Sequence, residues 1–230
     1  MLRDLTILIP HFNSWSGLAR AVASCDKLPV LVYDDGSSEQ QAKFKAPNVR
    51  VHYAGRNRGV ASARDWLIKN CETRFGLFLD ADDELQSYDY VVQSLALLKE
   101  RLDVSVVGCF AVDQFGNEKR RPMEVGWIYC LWRNPIVTSG AVFRLEYASR
   151  FHVIDPSPVG NFAEDYYLWA RLAHSSRLVN LPVVAVRREK SGQSLTARLG
   201  FALRLYVACY TRFKILIFYL VHRNRAQLHD

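Results

Sequence analysis

Three carboxylates, Asp80, Asp82 and Asp83, stand within four residues directly after the apolar run Leu77-Phe78-Leu79. A short uninterrupted apolar run reads as a buried parallel strand. The carboxyl end of such a strand is where open α/β sheets bind their ligands. Like charges this close repel, and a divalent cation that takes hard oxygen donors relieves the repulsion. The expectation is Mg²⁺ or Mn²⁺ beside Asp80 and Asp82, in the company of a diphosphate. The same residues also suit a plain acidic turn before a helix, with Asp83 as N-cap.

Further groups suited to chemistry fall at comparable places. Asp34 and Asp35 close a second apolar run, 29–33, and carboxylates there can accept from a base N–H or from ribose hydroxyls. An Asp-Gly-Ser turn with an Asx hydrogen bond is the other reading of that segment. Gly59 precedes a helical pattern over 59–71; glycine permits close backbone approach, and a helix N-terminus receives anions. Arg58 and Arg64 add fixed positive charge there. Glu164 and Asp165 open another helical pattern, where a carboxylate can serve as a general base or simply favour the helix dipole.

The elements that must position these residues alternate. Strands are expected at 5–9, 29–33, 49–53 and 77–79, with helices at 16–25 and 59–71 between them. That alternation argues for a mostly parallel, doubly wound α/β sheet. Beyond Asp83 come a helix at 90–102, a strand at 104–112, a turn at Gly116-Asn117, apolar runs at 127–132 and 136–143, a helix at 164–173 and a strand-like run at 181–186. The expected organisation is a catalytic domain over 1–197, with a nucleotide half (1–83) and an acceptor half (84–197) sharing one sheet. A basic helical tail over 198–230 follows.

Composition narrows the partners. The chain has 230 residues, half of them hydrophobic, and a net charge of +7, so a sizeable core and an anionic partner are both expected. The five cysteines are scattered without any Cys-x-x-Cys, which argues against a zinc or redox motif and fits reduced thiols in a cytoplasmic protein. The apolar run near the N-terminus is too short for a signal peptide, and no 18-residue apolar stretch supports a membrane span. No Gly-x-Gly-x-x-Gly follows the first strand, which disfavours a dehydrogenase. Nucleic acid is not an expected partner, because the basic residues cluster in the tail and no nucleic-acid-binding motif accompanies them.

Five segments in order carry a family resemblance: 5–13 (LTILIPHFN), 32–37 (VYDDGS), 57–64 (NRGVASAR), 78–83 (FLDADD) and 164–169 (EDYYLW). Over residues 4–195 the chain resembles glycosyltransferase family 2, the inverting nucleotide-sugar enzymes of the GT-A fold. The resemblance implies that Asp35 and Asp34 contact base and ribose, and that Pro10 and Phe12 lie at the base, Phe12 either stacking on it or joining the core. It implies a diphosphate near Asn57, Gly59 and Arg64. It makes Asp82 the ligand of a metal bridging both phosphates, with Asp80 on the ribose or sharing that metal, and Asp83 capping a helix or touching the sugar. Asp165 becomes the general base and Glu164 its orienting or acceptor-binding partner. Asp65 stands where the family usually has Asn, which invites an Asp65–Arg64 pair. In the segment 187–194, Lys190 replaces a His that can join the metal site in the family, so Arg188 and Lys190 are expected to close over the diphosphate. Ser139 to Arg144 resembles the acceptor-side strand, and Trp127, Trp132 and Trp169 suit either a sugar ring or the core.

The tail carries six basic residues and no acid between 198 and 225. On a helix, Ala202, Tyr206, Cys209, Phe213, Leu216 and Leu220 make one apolar face. That face suits an anionic membrane surface, or else docking on the domain or a second copy. The expected activity is metal-dependent, inverting transfer from a nucleotide sugar, with UDP the expected nucleotide. The expected acceptor is a surface glycan or lipid-linked saccharide of the lipopolysaccharide or capsule type, reached at the inner face of the cytoplasmic membrane. A non-catalytic nucleotide-sugar or glycan-binding protein and a nucleotidyltransferase are the alternatives.

Overall fold

The computed structural model describes residues 2–38, 46–151, 153, 162–189 and 200–222. Its first half is the expected alternation: β1 (Leu5–His11), α1 (Trp15–Ser24), β2 (Val30–Asp34), β3 (Val49–Tyr53), α2 (Val60–Asn70) and β4 (Phe75–Phe78). All four strands run parallel, in the order β3-β2-β1-β4. Both faces of this sheet are covered, which explains the unbroken apolar runs. Leu5, Ile7 and Ile9 of β1 point into one core with Leu18 of α1, while Leu8 points into the other with Leu67 of α2.

The second half adds antiparallel strands to the mostly parallel sheet. β5 (Asp83–Leu85), α3 (Tyr88–Glu100), β6 (Val104–Asp113), β7 (Glu118–Lys119), β8 (Glu124–Val125), a 3₁₀ turn (Trp127–Leu131), β9 (Val142–Arg144), α4 (Leu145–Ala148), α5 (Glu164–Ser175), β10 (Arg177–Arg188) and α6 (Phe201–His222) complete the described chain. The sheet continues β4-β9-β6-β10-β5, with β9 antiparallel to both neighbours and β5 antiparallel to β10. One ten-stranded mixed sheet therefore runs through both halves of the described chain.

Two sequence expectations need correction here. Asp83 is not a helix N-cap: it opens β5, opposite Arg188 of β10, and α3 is capped instead by Ser87, whose Oγ accepts from the Tyr90 N–H at 3.1 Å. Of the segment 139–144, expected as the acceptor-side strand, only Val142–Arg144 forms a strand, and the residues before it are a loop.

The tail helix also differs from expectation. It docks on α5 and the 3₁₀ turn through Val207, Thr211, Ile215 and Tyr219. The Tyr219 hydroxyl donates to the Ala170 carbonyl at 2.6 Å, and its ring lies 4.4 Å from that of Trp127. The face read from the sequence is the opposite one: Ala202, Tyr206, Cys209, Phe213, Leu216 and Leu220 are all exposed. Arg198, Arg223 and Arg225 lie outside the described residues.

α1 approaches the carboxylate loop because residue 17 is glycine. A Cβ there would meet the Ala81 carbonyl oxygen at 2.8 Å and Ser14 Oγ at 2.6 Å. Gly17→Ala should cost about 1–3 kcal/mol by overpacking. The expected result is a melting temperature below that of the wild type, read by thermal denaturation of the two proteins side by side.

Candidate active site

The carboxyl edge of the sheet collects nearly all the expected residues. Asp34 ends β2, and the His11 ring at the end of β1 donates to it through Nδ1 at 2.9 Å while accepting the Ser14 N–H through Nε2 at 3.1 Å. The Ser37 hydroxyl also donates to Asp34, so the turn expected from Asp-Gly-Ser is present. Asp35 accepts from the Arg58 and Gly59 N–H groups at 2.9 and 2.7 Å, fixing the loop that leads into α2. Burial raises its pKa and those two N–H donors pull it back. Gly36 makes this junction possible: its φ is +73°, and a Cβ would lie 2.5 Å from the Arg56 carbonyl carbon. Asn57 Oδ1 accepts from the same Gly59 N–H at 3.1 Å. Pro10 is buried within β1, whereas Phe12 is 47% exposed at the edge and outside the core.

Arg64, on α2, is buried beneath this surface. It pairs with Asp80 at 2.6 Å and with Glu164, the first residue of α5. Asp65 takes no part: it pairs with Lys69 at 2.6 Å and accepts from the Val153 N–H at 2.9 Å. The guanidinium is thus held by two carboxylates rather than by the adjacent acid. Its pKa is pulled down by burial and raised by Asp80 and Glu164, and the two carboxylates prevail. Two acids facing one cation leave one negative charge too many in a buried place. The excess falls on Glu164, the more buried of the two: burial pushes its pKa up to about 8, against the pull of Arg64.

Asp165 sits one residue on, half-buried, with Oδ2 accepting from the Thr138 hydroxyl and from Asn134 Nδ2 at 3.2 Å. Thr138 Oγ1 in turn accepts from Trp169 Nε1 at 3.4 Å, which orients the hydroxyl toward the carboxylate. Trp169 is fully buried and so belongs to the core, while Trp132 is 68% exposed. The next residue, Ser139, accepts the Asp80 N–H at 3.2 Å. Neighbouring hydroxyls on one loop therefore hold Asp165 and the Asp80 turn in fixed relation. Sequence reading did not single out Thr138 or Asn134. Their one signal is position, directly ahead of the small-residue segment at 139–141.

Asp83 is buried beneath the turn, with Oδ2 unpartnered and Arg188 Nε 3.6 Å away, too far for a hydrogen bond. Burial, then Asp80, pushes its pKa up to about 7, with Arg188 opposing. Asp80 and Asp82 are half-buried. Among the described residues no group of three or more His, Cys, Asp or Glu is placed to hold a metal ion. Lys190 lies outside the described residues.

Comparison with known proteins places this geometry. The model of the family Glycosyl transferase family 2 matches residues 6–158, well over half the chain. The "Pre-mycofactocin glycosyltransferase" of Mycobacterium tuberculosis (strain ATCC 25618 / H37Rv) is 38% identical over 84 residues, 35% of this chain and 18% of that protein. The "Teichoic acid poly(glycerol phosphate) polymerase" of Staphylococcus epidermidis is 29% identical over 99 residues, 38% of this chain and 14% of that protein. The chain thus covers less than a fifth of the length of these curated relatives. Among solved structures, S. aureus TarS 1–349 in complex with UDP superposes with a TM-score of 0.66 at 18% identity, covering 90% of this chain and 70% of that one. The complex of the same protein with UDP-GlcNAc gives the same score, covering 66% of that chain. At that identity the likeness shows the fold.

The raised pKa of Glu164 has a consequence for stability. A carboxyl whose folded pKa lies above its ordinary value of 4.5 contributes stability that is fully present below that value and lost as pH rises through about 8. Glu164→Gln removes this titration. The variant's melting temperature should therefore gain on the wild type's between pH 5 and pH 9, by roughly 2 °C or more. A gap independent of pH would show Glu164 ionised throughout.

Proposed function

We propose that this chain, which belongs to glycosyl transferase family 2, is a metal-dependent inverting glycosyltransferase that uses a UDP-sugar. The observation that carries the reading is the fixed pairing of two carboxylate groups: the Asp80 turn on one side of the 138–139 loop and Asp165 on the other. An inverting displacement needs a base on the acceptor side and charge stabilisation on the leaving side; Asp165 would supply the first, and a cation held at the Asp80 turn would supply the second. Asp165, oriented by Thr138 and Asn134, takes the acceptor hydroxyl proton as the oxygen attacks the anomeric carbon. Asp34, Asp35 and exposed Phe12 bound the nucleotide end. Arg64 acts by holding Asp80 and Glu164 in place, and Arg188 faces the diphosphate. The bound UDP and UDP-GlcNAc of the TarS complexes support uridine as the base.

The donor set also says how a metal would be held. Mg²⁺ keeps octahedral geometry and is commonly bound by one or two carboxylates together with substrate phosphates. Asp80 and Asp82 supply that number, and the described residues offer no cluster of three. They fit a Mg²⁺ or Mn²⁺ ion completed by the donor diphosphate, not a cage made by protein alone. Such an ion would neutralise charge on the departing diphosphate.

The acceptor is a hydroxyl on a surface polymer or lipid-linked saccharide, of the lipopolysaccharide, capsule or wall-polymer type. α6 brings the site to it at the inner face of the cytoplasmic membrane. No helix among the described residues is long and apolar enough to cross a membrane. The undocked face of α6 nevertheless exposes Tyr206, Phe213, Leu216 and Leu220, the helix carries no acid, and exposed Trp132 lies beside it. Apolar and aromatic residues on one side with only basic charge suit an anionic bilayer surface.

Two experiments test this. Asp165→Asn should lower kcat by about 10²–10⁴ while UDP affinity stays within about twofold, and Mn²⁺ should bind tightly only when UDP is present. Unchanged turnover would remove Asp165 from the base role, and tight Mn²⁺ binding without UDP would refute the shared ion. For the helix, the triple variant Phe213→Ser, Leu216→Ser, Leu220→Ser should keep its fold and lose retention on phosphatidylglycerol vesicles. Equal retention, or dissociation of a wild-type dimer in the variant, would refute the lipid contact.

A further inference from the structure

A group of cations stands at the same sheet edge, displaced from the nucleotide end. Lys119 closes β7 opposite Ala111 of β6, and Arg188 ends β10 opposite Asp113 of β6. Arg121 lies two residues after β7, and Arg133 precedes Asn134, the residue that donates to Asp165. β5, which follows Asp82 directly, pairs with β10 and brings Asp83 within 3.6 Å of Arg188, so Arg188 stands beside the Asp80–Asp83 turn. Arg121 and Arg133 lie toward Asp165, whose charge acts on Arg121 and whose carboxylate accepts from Asn134.

These charges crowd one another. Arg121 is destabilised as a cation by burial and then by Arg133 and Arg188, with Asp165 among the groups that oppose this. Partial desolvation, then Arg188 and Arg121, bring the pKa of the Lys119 ammonium down to about 8, with Asp165 and Asp80 opposing. Of the nearby acids, Asp83 pairs with Arg188 at 3.6 Å. Asp80 and Glu164 face Arg64, Asp165 accepts from Thr138 and Asn134, and Glu118 pairs with Arg120. Arg121 Nε is buried without a hydrogen-bond acceptor. A guanidinium N–H sequestered from water without an acceptor is costly, and within a group of like charges it calls for an oxyanion.

We infer that Lys119, Arg121 and Arg133 form an anion subsite that grips a phosphate carried by the acceptor. The inference deepens the proposed transfer reaction and rests on it for the words donor and acceptor. The subsite itself rests on the buried Arg121 Nε without an acceptor and on the placement of the cations around it. A phosphate held there sits beside the Asp165 carboxylate, so an acceptor hydroxyl near that phosphate is presented to the base. Substrates of this class are phosphate-bearing glycans or polyol phosphates.

Inorganic phosphate is the probe, titrated against the full chain with and without saturating UDP and Mn²⁺, with binding read by thermal shift and calorimetry. The expected result is phosphate binding that persists when UDP is bound. Arg121→Gln and Lys119→Gln should weaken it about tenfold or more while UDP affinity stays within about twofold. Arg121→Lys, which keeps the charge, should restore much of the binding and guards against a folding artefact. Phosphate that competes with UDP would place the anion site at the donor diphosphate and overturn the inference. So would phosphate binding indifferent to Lys119 and Arg121, or no phosphate binding at all. Failure of UDP to bind would strike the proposed function alone, since the titration of the free protein still decides the subsite.

Discussion

The buried Arg64 guanidinium is the constraint around which this structure is arranged. It rises from α2, beneath the sheet edge, and meets Asp80 at the end of the parallel half and Glu164 at the start of α5. Remove the cation and two carboxylates face each other out of water, at a cost of several kcal/mol. A well-packed apolar replacement would often be as stable as the ion group, so stability alone does not explain it. What the arrangement supplies is geometry. α2, the Asp80 turn and α5 come from different parts of the chain, and one planar cation with a fixed fork of donors sets their relation.

The parallel half was legible because physics leaves it few choices. A strand covered on both faces must be apolar throughout, so β1, β2 and β4 announce themselves, and the acids that end them stand out. Asp83 misleads for the same reason. An acid after a strand and before a helix suggests a cap, and the antiparallel pairing of β5 with β10 depends on Arg188, a hundred residues away. Thr138 and Asn134 are invisible in sequence for a different reason. Threonine and asparagine are common in loops, and only the fold brings them against Asp165. Arg64 was visible as a cation, yet its partners were not: Asp65, the neighbour in sequence, points to Lys69 and Val153 instead.

The tail shows where periodicity alone stops deciding. α6 carries apolar residues on nearly all sides, so more than one stripe looks like a core face. The stripe that docks contains Thr211 and Tyr219, less apolar than its opposite, because Tyr219 finds the Ala170 carbonyl and packs tilted against Trp127. Complementarity with α5 outweighed hydrophobicity. The more apolar stripe is left facing out, and large exposed apolar patches on a soluble surface mark contacts still to be made. The sequence reading asked whether the helix docks or meets a membrane. The structure gives it one face for docking and leaves another open.

The charge layout along the sheet edge follows one logic. Carboxylates concentrate between β4 and α5; Arg188 of β10 approaches one of them, Asp83, while Lys119, Arg121 and Arg133 stand further along, at β7 and the loops after it. Nearest-neighbour pairing of these two groups would silence both. Instead Arg64 takes up Asp80 and Glu164 from below, hydroxyls orient Asp165, and the cations beyond are left crowding one another. On the proposed reaction this separation has a chemical meaning. Donor phosphates are held where carboxylates need a metal to tolerate them, and an anionic acceptor is held where arginines and a lysine need no metal at all. The adjacent Thr138 and Ser139 then act as the fixed rule between the two ends, since their separation is set by one peptide unit rather than by any movable contact.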